Sequence, residues 1–259
     1  SNSPSYGCSI QDTITVVVNA LPTISVSPAT AAICVGGLQQ LTMTSGSVWT
    51  TVNGLYTDAS GTTPAVGTET TVYAIPSSSV TYTASLTDAN GCTSTASSVL
   101  TVNPIPVVEV SLSANNVCGG TPVTLTATGA NTYVWSPGNL SGSSIIVSPN
   151  TTTTYTVAGY GLGNCSGSAS VTLNINATPS APVLTSAGST TICDGSSVVL
   201  STSSTEGLQW FLNGVAINGA TSNSYTATAA GSYTLTSTST SGCTSALSNS
   251  ISVVVNTVP

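Results

Sequence analysis

Apolar residues in this chain recur at alternate positions, separated by Thr, Ser and Asn. Val171, Leu173 and Ile175 alternate with Thr172 and Asn174. A period of two turns one face of a strand inward and the other to solvent. Strand-like runs of the same kind, LQQLTMT, PVTLTAT and SVVLSTS, follow the Cys-containing openings CVGG, CGGT and CDGS at Cys34, Cys118 and Cys193. Between residues 107 and 176 the pattern predicts strands over 107–113, 123–129, 132–136, 144–148, 154–160 and 168–176. These take the A, B, C, E, F and G positions of a β-sandwich.

The pattern repeats. TYTASLTDANGC (81–92), TYTVAGYGLGNC (154–165) and SYTLTSTSTSGC (232–243) align, each with a Tyr ten residues before a Cys: Tyr82 and Cys92, Tyr155 and Cys165, Tyr233 and Cys243. Trp49, Trp135 and Trp210 follow Cys34, Cys118 and Cys193 by 15, 17 and 17 residues. Asn19, Asn103 and Asn176 follow Cys8, Cys92 and Cys165 by eleven residues, and a Pro comes soon after each Asn. The unit is therefore Cys-x-Gly, strand, Trp, Tyr, Gly/Asn-Cys, strand, Asn-Pro. The spacing predicts the terminal strand of a preceding repeat over residues 1–21 and full repeats over 22–103, 104–176 and 177–259. The chain is thus expected to open inside a unit of a longer array. Short, Pro-stiffened junctions such as Asn103-Pro104-Ile105-Pro106 predict a rod rather than loosely strung beads. The first repeat carries extra residues between its Trp and Tyr, read as a longer excursion between the C and E positions.

Composition narrows the chemistry. The chain has 259 residues, no Lys, Arg or His, and seven carboxylates. Nothing basic is present to grip phosphate, nucleic acid or anionic lipid. Nor is there an imidazole or amine to act as general base or Schiff-base nucleophile. The carboxylates Asp12, Asp58, Glu69, Asp88, Asp194 and Glu206 are spread along the sequence, so no paired-carboxylate glycosidase site is expected. Asp88 in Asp-Ala-Asn-Gly reads as a turn former. No membrane-length apolar run occurs. The seven cysteines recur in register without His or CxxC, which favours an oxidising, extracellular setting over a metal site. No cofactor, metal or catalytic residue is predicted.

The segment LQWFLNGVAINGATSNSYTATAAGSYTLTSTSTSGC (208–243) resembles immunoglobulin-like repeats. Trp210 stands where that superfamily places its strand-C tryptophan, and Tyr233 where it places the tyrosine opening strand F. In the middle repeat the positions of the usual B–F disulfide hold Ala127 and Val157. The Cys-Gly opening, TYT strand and DANGC turn are similar to the Ig/PKD-like repeats of Bacteroidota surface proteins exported by the type IX secretion system, including SprB-type gliding adhesins. The resemblance implies an all-β fold of tandem immunoglobulin-like sandwiches, with Trp49, Trp135, Trp210, Tyr82, Tyr155 and Tyr233 in the cores. It also implies a non-catalytic segment of a cell-surface adhesin stalk or filament. Its partners would be neighbouring repeats, surface polysaccharide or other surface proteins, without nucleic acid or membrane insertion. The competing reading is a carbohydrate-binding or spacer module attached to a secreted enzyme. There Tyr56 and Tyr160, which with Tyr73 lie outside the repeat register, would touch the ligand.

Two cysteine pairings stay open on this reading. Within repeats they would be Cys34–Cys92, Cys118–Cys165 and Cys193–Cys243. In an immunoglobulin sandwich, however, the A–B turn and the F–G loop lie at opposite ends. At about 3.3 Å per strand residue that separates them by roughly 25–35 Å, whereas a disulfide needs Cα atoms within about 7 Å. A head-to-tail array favours Cys34–Cys165 and Cys118–Cys243 between repeats. Cys8, Cys92 and Cys193 would then pair with repeats outside this sequence.

Overall fold

A computed structural model describes Gly7 and residues 12–257. Among the described residues the regular structure is all β apart from a short 3-10 turn at Leu162–Asn164. Three separate apolar cores form along it, within residues 26–100, 108–173 and 184–253. By compactness the chain divides into two units. One holds residues up to Pro106 together with the hairpin tip Gly161–Cys165; the other holds Val107–Tyr160 and Ser166–Pro259. The first core lies in the first unit and the other two in the second.

Each core sits between two sheets with one recurring order. In the first repeat, Val26–Ser27, Gln39–Met43, Thr71–Ala74 and Leu55–Tyr56 make one sheet. Thr30–Cys34, Thr93–Asn103, Val80–Thr87 and Val48–Trp49 make the other. The second repeat places Val123–Thr128 between Ser144–Val147 and Glu109–Leu112, with Leu140–Ser141, Thr132–Ser136, Thr153–Tyr160 and Ser166–Leu173 opposite. The third places Val198–Thr202 between Leu184–Ser186 and Ser224–Ala227. Its facing sheet runs Thr191–Cys193, Ile251–Asn256, Gly231–Ser237, Leu208–Leu212 and Val215–Ala216. This is the immunoglobulin-like arrangement, A-B-E facing G-F-C.

Alternation accounts for the burial. Val123, Leu125 and Ala127 are buried while Thr126 and Thr128 are exposed. Ala127 and Val157 stand at the usual B–F disulfide positions, and both are buried in the second core. Apolar packing joins those two sheets without a covalent bridge. Each Trp is buried and its indole N–H has a backbone acceptor: Trp49 donates to the Glu69 carbonyl at 3.0 Å, Trp135 to Gly142 at 2.9 Å and Trp210 to Ser222 at 2.8 Å. A buried indole needs such a partner, because leaving the donor unsatisfied costs about 1–3 kcal/mol. Tyr82, Tyr155 and Tyr233 are buried as well. The Tyr82 hydroxyl donates to Asn53 at 3.1 Å and that of Tyr233 to Ala229 at 2.9 Å.

The approach to strand B holds a further element at Cys118. In the structure Cys118 ends a short strand, Val117–Cys118, that runs parallel to Ile175–Asn176. The first strand of the sandwich is thus split: Glu109–Leu112 pairs with one sheet, and Val117–Cys118 crosses to the end of the other. The same parallel pairing sets Cys34 opposite Asn103 and Cys193 opposite Asn256. Residues 12–21, read as the strand closing a preceding repeat, lie in no strand and expose Ile14, Val16, Val17, Val18 and Leu21.

Candidate functional site

Two kinds of local structure bring the cysteines together. One is the parallel pair just described, which fixes a Cys beside the backbone of an Asn. The other is the hairpin tip between the F and G strands. In all three tips the first residue donates its N–H to the carbonyl of the Cys: Asp88 to Cys92 at 3.0 Å, Gly161 to Cys165 at 2.8 Å, Ser239 to Cys243 at 2.8 Å. The closing groups differ. The Asp88 carboxylate accepts the Asn90 and Cys92 N–H groups, each at 2.9 Å. The Ser239 hydroxyl accepts the Cys243 N–H at 3.2 Å. In the middle tip Cys165 instead donates to the Leu162 carbonyl at 3.2 Å.

Two of the three tips are covalently seated. Cys165 is bonded to Cys34 and Cys243 to Cys118, each with Cα atoms 5.5 Å apart. Cys165 and Cys243 are buried. Their sulfurs lie 3.9 Å from the Asn103 carbonyl and 3.8 Å from that of Asn176. Glycine makes the middle seat possible. Gly163 has φ of 63°, and a Cβ there would stand 2.3 Å from Asn103 Nδ2. Each disulfide joins the cysteine that opens one repeat to the hairpin tip of the next repeat in sequence. Cys92 and Cys193 carry thiols, half-buried and exposed respectively. Cys8 lies outside the described residues.

The excursion of the first repeat builds a second feature. Leu55–Tyr56 pairs antiparallel with the strand Thr71–Ala74, setting Tyr56 directly opposite Tyr73. Both rings are half-buried. Tyr56 lines a cavity of about 350 Å³ with Thr51, Asn53, Ile75, Ser78 and Tyr82. Tyr160 lines no part of that cavity. It stands opposite Thr132 at the end of the second repeat's C–F pair. Beside the cavity, residues 58–63 fold around one carboxylate. Asp58 accepts the Ser60 and Thr63 backbone N–H groups at 2.9 and 2.8 Å and the Ser60 hydroxyl as well. These bonds, the Ser60 hydroxyl first, hold its pKa well below the usual carboxylate range. Glu69 is lowered in the same way by its own backbone N–H and those of Val66 and Gly67, the last two at 3.1 and 2.9 Å. Backbone amides thus do for these carboxylates what absent cations cannot. Among the described residues no group of three or more Cys, Asp or Glu converges on one point.

No protein-family model matches the chain, and no curated protein matches it. Among solved structures, an I-band fragment of titin is similar at 13% identity, with 92% of this chain and 100% of that one covered and a TM-score of 0.45. The N-terminal eight Ig domains of Down Syndrome Cell Adhesion Molecule are similar at 17% identity, covering 89% of this chain and 35% of that one, with a TM-score of 0.37. A Ca2+-stabilized adhesin that helps an Antarctic bacterium bind ice is similar at 14% identity, covering 92% and 75%, with a TM-score of 0.36. At these values the comparisons assign neither family nor function to the chain.

Proposed function

We propose that this chain is a structural, non-catalytic segment of an extracellular or cell-surface repeat protein, a stalk that transmits tension to a binding element elsewhere. The observation that carries this reading is the pair of disulfides Cys34–Cys165 and Cys118–Cys243, which tie consecutive repeats rather than the two sheets of one sandwich. Such bonds form and persist in oxidising compartments. They add nothing to a catalytic or ligand pocket and bypass the backbone at each junction. Charge is sparse, seven carboxylates in 259 residues, which lowers the repulsion that would oppose side-by-side packing of such stalks. The likeness to Bacteroidota surface repeats supports export by the type IX system and a place among gliding-type adhesins. Pulling single molecules by their ends tests the stalk reading. The oxidised chain is expected to release little contour length, and the reduced chain much more. Equal release in both states overturns it.

The Tyr56 cavity favours a second reading, carbohydrate binding, since the half-buried Tyr56 ring lines it beside the polar groups of Thr51, Asn53 and Ser78. Glycan-array binding by the oxidised chain, abolished in Tyr56→Ala, supports it. A blank array leaves the stalk reading alone.

A further inference from the structure

The junction is built twice in full and a third time in halves. Cys34, Cys118 and Cys193 occupy one register, each opposite an Asn of the parallel partner strand: Asn103, Asn176 and Asn256. The residue after the first and third Cys donates to that Asn carbonyl in the same way, Val35 to Asn103 and Asp194 to Asn256, both at 2.9 Å. In two of the three registers the Cys holds the sulfur of an incoming hairpin tip, and in the third its thiol is exposed. Among the described residues the incoming half is likewise present three times, and the example there without a partner is the Asp88–Cys92 tip. So the chain itself shows, at two equivalent positions, what an open position of this kind accepts.

The sequences beside each half also match. Residues 14–19 read ITVVVN, and Ile251–Asn256 reads ISVVVN. Asn19 stands eleven residues after Cys8, as Asn103 stands after Cys92. The segment that ends at Asn19 thus carries the same sequence pattern as the strand that ends at Asn256, although it lies in no strand itself.

We propose that the Cys193–Asn256 face is a docking surface for a cysteine-tipped F–G hairpin, and that a second copy of this chain fills it with its Cys92 tip. The contact is heterologous, so each copy offers both an unused tip and an open face, and linkage extends beyond a two-fold dimer. Linkage needs a two-electron oxidant, supplied by a small disulfide such as oxidised glutathione. One cysteine thiolate attacks that disulfide, forms a mixed disulfide and expels one reduced thiol. The other cysteine thiolate then attacks the protein-side sulfur, forms Cys92–Cys193 and expels the second thiol. Two cysteine protons are released to solvent or to the departing thiolates. This inference rests on the stalk reading and extends it to assembly.

The test uses the full chain with Cys8→Ser, held in a glutathione buffer under native conditions. It is read by non-reducing electrophoresis and by peptide mapping with a protease that cuts after aromatic residues and leucine, which separates Cys92 from Cys118 and Cys165 from Cys193. The expected result is a ladder of oligomers joined through Cys92–Cys193. Further substituting Cys92→Ser or Cys193→Ser leaves each protein monomeric, while mixing the two restores a dimer and nothing longer. In urea the preference for unlike partners is lost. Failure to oligomerise, or Cys92–Cys92 and Cys193–Cys193 links formed as readily as the unlike pair, overturns the proposal. The same map reports Cys34–Cys165 and Cys118–Cys243 in the monomer. Their absence would overturn the stalk reading itself, so the two failures are distinguishable.

Discussion

Asp58, Glu69 and Asp88 show how a chain without a single cation keeps its carboxylates in place. Each accepts backbone N–H groups of its own turn, so the charge is met by local peptide dipoles. Folding lowers the Asp58 pKa, so its contribution is present above the unfolded aspartate value of about 3.9 and is lost as acid carries the pH below the lowered value. NMR titration should find the Thr63 amide unmoved through about pH 4 and shifting only in stronger acid. A midpoint at the ordinary aspartate value would refute the assigned bonds. Ser98 makes the opposite case. Its hydroxyl is fully buried, opposite Tyr82, and has no hydrogen-bond partner. Ser98→Ala should therefore raise the stability of the first sandwich by about 1 kcal/mol, read as a higher denaturation midpoint at unchanged slope. The Trp and Tyr positions were legible in the sequence because large rings at a fixed spacing have few places to go in a sandwich. Nothing in the sequence marked Ser98, since one Ser among many carries no sign of which face it takes. Tyr56 stood out for lying off the register, yet its pairing with Tyr73 depends on where a short strand lands.

At the scale of the element, periodicity located the sandwich strands of the second repeat closely. The strand expected over 154–160 is Thr153–Tyr160, and that over 123–129 is Val123–Thr128. The parallel ladders Val117–Cys118 with Ile175–Asn176 and Thr191–Cys193 with Val254–Asn256 were not legible. Two or three residues are too few to show a period, and a switch of sheet leaves no composition change. Yet these ladders bring a cysteine to the end of the sandwich where a hairpin tip can reach it. The tip has its own requirement at Gly163. Substituting Ala there strains a left-handed backbone and drives a methyl group into the Asn103 side chain. Gly163→Ala should leave the second core folded while reducing the fraction of chains that form Cys34–Cys165. Thiol labelling checks this as a gain of reactive Cys34 and Cys165, with Cys118 and Cys243 still protected. Full protection at all four would show that the tip tolerates a side chain.

For the molecule as a whole, the position of the disulfides separates two kinds of stability. They span 131 and 125 residues of sequence, and in chain-entropy terms closing loops this long removes about 4–5 kcal/mol of unfolded-state freedom each. No bridge crosses the second core between Ala127 and Val157. Mild reduction should therefore lower thermal stability while leaving Trp fluorescence and the β-sheet circular dichroism unchanged at 25 °C. Loss of the Trp signal on reduction alone would show that the sandwiches depend on the bridges for their cores. The order of the cysteines adds a further property. Along the chain they run 34, 118, 165, 243, and the first bonds to the third while the second bonds to the fourth. The two covalent loops are interlaced rather than nested or successive. Any one backbone cut between Cys34 and Cys243 falls inside at least one loop, so the fragments stay joined. Trypsin finds no site in a chain without Lys or Arg, and a protease of other specificity that nicks it once in this span cannot shed the part beyond the nick. Continuity in this protein belongs to a network crossed by three covalent links between Cys118 and Cys165 and by two on either side, and losing a single peptide bond there does not break it.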